Sequence, residues 1–218
     1  MTDTVARKPR SAQSGRRALY IAAGVAVVLV AAMALDTKVV PIGGENDLRQ
    51  AAFAPDAYGD QEFPRIQAFV AERAVDAAKL APDVLADKAA AAKQYGTASS
   101  TGAIMMVRTT GVVGEGSSGL VDLAAEGMPP EIRVRVQTGP AINGTDLRDA
   151  PGDIAFGQFK NQIEYQNAAS GINRAMKRAV LDSIDTAALK GKTIEVVGAF
   201  RLVNPKNWLI TPVAMTVK

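Results

Sequence analysis

The sequence predicts an α+β chain: an N-terminal transmembrane helix, a two-helix preface, then an OB-like five-stranded β-barrel with one helix between its third and fourth strands. Three observations predict it. Ala18–Leu35 (ALYIAAGVAVVLVAAMAL) holds no charged residue. Residues 61–96 repeat apolar side chains at three- and four-residue steps, and from Thr97 the period falls to two. The order of three strands, a helix and two strands in roughly 115 residues is the connectivity of an OB-type barrel. A strand-rich α+β sandwich built from the same elements is the alternative.

The apolar run is ~27 Å long as a helix, close to the thickness of a bilayer's hydrocarbon core. Before it, the tail at 1–17 carries Arg7, Lys8, Arg10, Arg16 and Arg17 against Asp3 alone. Cationic flanks resist translocation, so the tail is expected in the cytoplasm and the chain after Asp36 in the periplasm. The predicted location is the inner membrane, crossed once. Cleavage as a signal peptide stays open, because Ala32-Met33-Ala34 offers a small-x-small site; the uncharged run is nevertheless longer than the ~7–15 residues of a signal core.

Residues 36–60 form a connector rich in turn formers (Pro41, Gly43-Gly44, Pro55, Gly59), with a short strand expected at Lys38–Val40. Phe53 and Tyr58 are expected to dock on the body. In the preface at 61–96, Pro64 and Pro82 each suit the first turn of a helix, and Gly96 caps the second. The body, 97–218, starts with a strand at Ala103–Val113, broken by Gly114, Gly116 and Gly119, and a neighbour at Leu120–Leu123. Glu131–Gln137 alternates cleanly, placing Ile132, Val134 and Val136 on one face and Glu131, Arg133, Arg135 and Gln137 on a wet one. A helical passage runs from Ile154 to Ala188 and ends at Gly191. Two closing strands follow, Thr193–Val203 with Gly198 as a bulge and Leu209–Val217, joined by a turn at Asn204–Asn207.

Composition excludes more than it selects. The chain has 25 Lys+Arg, 22 Asp+Glu, no histidine and no cysteine, and a pI near 9.2. The tail and anchor hold five of the basic residues and one acidic one, which leaves 20 against 21 in the exported part. That part has no basic field to gather phosphates, so nucleic acid is not an expected partner. Without histidine or cysteine there is no Ser-His-Asp triad, thiolate chemistry or histidine zinc site. No cofactor or metal is expected. Asp146, Asp149 and Asp153 lack the spacing of a calcium loop.

Polar residues concentrate in 138–173, where Arg148, Asp149, Asn161 and Gln162 accompany Phe156, Phe159 and Tyr165. Planar amides, carboxylates and an aromatic face suit a small polar ligand such as a sugar. With Trp208 as a platform at the barrel mouth, the candidate ligand-binding residues are Arg148, Asp149, Asn161, Gln162 and Trp208. The plainer reading pairs Arg148 with Asp149 and spends Asn161 and Asn173 on backbone capping. Trp208 then becomes a packing anchor.

At FGQFKNQIEYQNAASGIN (156–173), GKTIEVVGAF (191–200) and WLITPV (208–213) the chain resembles a family of predicted periplasmic lipoproteins of unknown function. The resemblance runs from the apolar segment to the C-terminus. It implies an exported, tethered bacterial protein whose relatives accompany genes for sugar-type ABC transport, and it carries over no catalytic residue. The family label supposes an acylated cysteine, which this sequence lacks, so the helix itself is the expected tether. The expected function is therefore a non-enzymatic, membrane-anchored accessory or binding protein serving solute uptake. A sugar-binding module is the first alternative, and a hydrolase working through paired carboxylates is the second.

Overall fold

A computed structural model describes residues 12–36, with side chains from Leu19, and residues 53–218. The basic tail up to residue 11, the strand expected at Lys38–Val40 and the connector to residue 52 lie outside the described residues. The chain divides into two units, Met1–Ala52 and Phe53–Lys218.

In the first unit, α1 spans Ala12–Asp36. Its stretch Leu19–Asp36 has a mean hydropathy of 2.2 and none of it is buried. It is long and apolar enough to cross a bilayer. The helix starts six residues before the apolar run and takes in Arg16-Arg17.

The second unit begins with α2 (Pro55–Arg73), so the helical part starts at Pro55 rather than at residue 61. Pro55 occupies the first turn, where a missing N–H costs nothing. Pro64 lies in mid-helix instead of opening it. Burial of Phe63, Ile66 and Val70 carries the helix across that defect. The second expected helix is two: α3 (Ala77–Ala86), which contains Pro82, and α4 (Lys88–Tyr95). Their boundary is set by side-chain capping. Asp76 accepts from the amides of Ala78 and Lys79, and Asp87 accepts from those of Ala89 and Ala90 at 2.8 and 3.0 Å. The preface is thus three helices.

Among the described residues the sheet has seven strands, not five. Five form a ring of pairings: β3 (Ile104–Ser117), β4 (Leu120–Ala125), β5 (Arg133–Gln137), β7 (Asn207–Val217) and β6 (Thr193–Arg201), which returns to β3. All neighbours are antiparallel except β5 and β7, which run parallel. The two additions are β1 (Val75–Asp76) and β2 (Gly96–Thr97), both hydrogen-bonded to β3. Two-residue strands carry no periodicity, which is why the pattern does not reveal them.

Gly198 marks a shift of register between β6 and β7 as expected, and a Cβ there would lie 2.4 Å from the Thr211 carbonyl oxygen. On β5 the alternation holds except at Gln137, which is buried instead of wet. Its Nε2 donates to Thr211 Oγ1 at 2.7 Å and to the Asn143 carbonyl at 2.9 Å, and its Oε1 accepts from the Asn143 amide. That exchange pins the loop leading to α5 (Asp146–Asp149).

The inter-strand helix is shorter than the passage predicted. After a 3-10 turn at Phe156–Gln158 comes α6 (Gln162–Met176), which continues as a π-helical turn over Lys177–Leu181. Gly191, at φ +78°, turns the chain into β6 instead of ending the helix. Helices α6 and α2 pack through glycines. A Cβ on Gly59 would lie 2.2 Å from the Gly171 carbonyl oxygen, and one on Gly171 would lie 1.9 Å from that of Pro55. Arg174 binds Asp56 at 2.6 Å and Arg178 binds Asp60 across the same seam.

Candidate functional site

Beside α5 and the first turns of α6 lies a polar depression of about 450 Å³. Its walls come mainly from four places in the chain: Ser99–Thr101 after β2, Thr145, Arg148 and Asp149 at α5, Gln162, Tyr165 and Gln166 on α6, and Arg201 at the end of β6. The strand ring fixes Arg201, while the Gln137 exchange and Asn173 hold the other wall. Asn173, buried on α6, donates to the Gly144 carbonyl at 2.9 Å.

Three charged side chains line the depression, Arg148, Asp149 and Arg201, and a fourth, Asp146, joins them through Arg201. Arg148 Nε donates to Asp149 Oδ1 at 2.8 Å, and its NH1 donates to the Tyr165 carbonyl at 3.0 Å. The Arg148 guanidinium carbon lies 3.6 Å from the centroid of the Tyr165 ring, a cation–π contact. Arg201 NH2 donates to Asp149 Oδ2 at 2.7 Å and to Thr145 Oγ1 at 2.9 Å. Its Nε donates to Asp146 Oδ1 at 3.2 Å. Its NH1 reaches the hydroxyls of Ser99 and Thr101 at 2.5 and 2.6 Å. One guanidinium therefore ties β6 to α5 and to the segment after β2.

The two carboxylates respond oppositely to this setting. Burial pushes the Asp149 carboxyl upward, but hydrogen bonds from Arg201, Thr145 and Arg148 together outweigh it and hold the group below its usual range. Burial pushes Asp146 up as well, and the charge and the side-chain and backbone hydrogen bonds of Arg201, opposed by the nearby charge of Asp149, do not offset it, so the group stays raised. Both acids turn onto the same guanidinium. The third aspartate is elsewhere: Asp153 accepts from Arg65 at 2.7 Å. Among the described residues no group of three or more His, Cys, Asp or Glu is arranged to hold a metal.

The structure brings Arg148, Asp149 and Gln162 together at the depression. Asn161 does not line it and instead caps α6, accepting from the Glu164 amide at 2.9 Å. Trp208 is not there. It is fully buried, stacked on Phe200 with centroids 4.6 Å apart, and its indole N–H donates to the Pro205 carbonyl at 2.9 Å. The packing reading holds for it, because a ring with both faces in the core presents none to a ligand. Arg201 and the hydroxyls of Ser99, Thr101 and Thr145 were not anticipated. Ser99, Thr101 and Arg201 lie about fifty residues of chain from Arg148 and are gathered by strand pairing, whereas Thr145 stands three residues before it.

Phe53 and Tyr58 dock on the body as expected. Both lie within 5.6 Å, centroid to centroid, of Phe159, which in turn is 5.4 Å from Tyr165.

No curated protein matches the chain. Among solved structures it is similar to an OB-fold protein from Thermotoga maritima, with a TM-score of 0.60 and 16% identity over 77% of this chain and 99% of that one. At that identity the likeness concerns the fold: an α+β body of OB type. The family profile that matches residues 23–216 is described as a predicted periplasmic lipoprotein, which points to a membrane-attached periplasmic protein. Since that match takes in the apolar helix and nearly all of the body, the chain belongs to this family, DUF2291.

Proposed function

We propose that the protein is a non-enzymatic binding protein, held at the inner membrane by α1 with residues 53–218 in the periplasm, and that the depression beside α5 takes a neutral polyhydroxylated ligand of the sugar class. The observation that carries this reading is the pairing of the arginines with aspartates at the depression. Arg148 and Arg201 are matched by Asp149 and Asp146, so the surface offered to a ligand is one of hydroxyls and amides: Ser99, Ser100, Thr101, Gln162 and Gln166. Such groups satisfy the alternating donors and acceptors of a polyol without demanding charge. The tether reading draws support from the length and composition of α1 and from the five cations that precede its apolar stretch. With no cysteine in the sequence, the helix is the attachment rather than an acyl chain.

Calorimetry of the full chain in detergent against neutral mono- and disaccharides tests the ligand. Binding by at least one neutral sugar, lost in Gln162→Ala and absent for sugar acids, is the expected outcome; a flat series across neutral sugars rejects it. The partner class is a component of a solute-uptake system, as the family resemblance implies. Crosslinking in intact cells is expected to enrich such a component over an unrelated anchored control, and no enrichment rejects that part alone.

A further inference from the structure

We infer that the segment from Phe156 to Ile163 rests on the lipid surface, making a second, reversible membrane contact in addition to α1. Among the described residues of the body, the large apolar side chains that are well exposed are Val112, Phe156, Ile163 and Val203. Phe156 and Ile163 fall within one short stretch, at 50% and 71% exposure, on either side of exposed Lys160. An aromatic ring, a branched aliphatic and an ammonium on a flexible stem are the side chains that partition into a headgroup boundary.

Where the chain enters the body points to lipid rather than to another occupant. Sixteen residues separate the end of α1 at Asp36 from Phe53. Phe53 packs on Phe159, and Phe156 and Phe159 both pack on Tyr165, at 5.7 and 5.4 Å. The point where the tether joins the body is therefore continuous with exposed Phe156 through successive ring contacts. Much of the nearby negative charge is paired: Asp56 and Asp60 on α2 are bound by Arg174 and Arg178, and Glu62 shares Arg65 with Asp153. A tether also changes what strength is required: once α1 is inserted, the second contact is intramolecular, and two modest side chains suffice where they would not hold a free protein.

The inference rests on α1 being a membrane anchor, and the test separates the two. The full chain carrying Phe156→Trp is reconstituted in nanodiscs whose lipids bear brominated acyl chains, with Ile163→Trp as a second reporter and Val203→Trp as the control. The buried Trp208 supplies a common background in all of them. Failure of the chain to co-purify with the discs overturns the anchor reading and this one together. With the chain in the discs, bromine is expected to quench position 156 or 163 at least about two-fold more than position 203. Equal quenching at the three positions overturns the lipid contact and leaves the anchor standing. Shielding of 156 and 163 from both bromine and aqueous acrylamide also overturns it, because a protein surface, such as a second copy, would then cover the segment.

Discussion

Two arginine–aspartate contacts of almost the same length sit in different surroundings. Arg201 meets Asp149 at 2.7 Å with 16% and 13% of the side chains exposed, whereas Arg133 meets Asp122 at 2.8 Å with 63% and 35% exposed. Length does not separate them; water does. On β5 the ions keep most of their hydration, so losing one partner returns the other to solvent. Beside α5 most hydration has been given up, and removing one partner leaves a largely buried charge short of a counter-ion.

The sharpest way to break this contrast is Arg201→Met. It leaves Asp146 without its guanidinium partner and Asp149 with Arg148 alone as an ion-pair partner, and it should cost about 3 kcal/mol in urea unfolding of residues 53–218. A loss indistinguishable from that of a surface variant would mean the cluster is wetter than its burial implies. Asp149→Asn comes next, at about 2 kcal/mol, because three donors converge on that carboxylate and an amide accepts from them less strongly.

Asp146→Asn should act with the opposite sign, a gain of under about 1 kcal/mol at neutral pH, since its ionised form is the costly one there. Titration separates the neighbours further. Asp149, with its folded value lowered, contributes stability that is present above the unfolded carboxylate value and lost as pH falls through the folded one. Asp146, with its folded value raised, contributes stability that is full below the unfolded value and lost as pH rises through the folded one. Unfolding free energy followed from about pH 2 to 7 should thus fall less steeply toward acid in Asp149→Asn and less steeply toward neutrality in Asp146→Asn. Matching slopes in the two variants would contradict the assignment. The smallest effect belongs to Arg133→Ala, whose unfolding midpoint should coincide with that of the parent in 0.15 M salt.

How much of this was legible in the sequence follows the same division between local and distant. The five long strands and the bulge at Gly198 could be read because periodicity and glycine act within a few residues. Pro64 and Pro82 misled for a local reason: proline favours a first turn, but at these positions burial of the helix face overrides the lost hydrogen bond. Asp87 was the overlooked stop signal, a side-chain cap in the middle of an alanine run. Gly59 looked like a turn former, yet its role is to let two helix backbones meet at Gly171, more than a hundred residues away. Gly171→Ala tests that role and should cost about 1–3 kcal/mol, since the obstacle is a carbonyl and not a movable side chain. At the depression, Arg148 and Asp149 adjoin in sequence and were found together. Arg201 was seen only as a strand residue, because nothing near position 201 says that it faces α5.

The ring of pairings from β3 through β4, β5, β7 and β6 back to β3 has a consequence for life on a crowded surface. Molecules confined to a plane collide often and in a restricted set of orientations. A sheet with a bare flank would then invite strand addition from one copy to the next. Here the five long strands spend their hydrogen-bonding groups on one another. Dense arrays of this protein should stay separate particles instead of growing into fibrils.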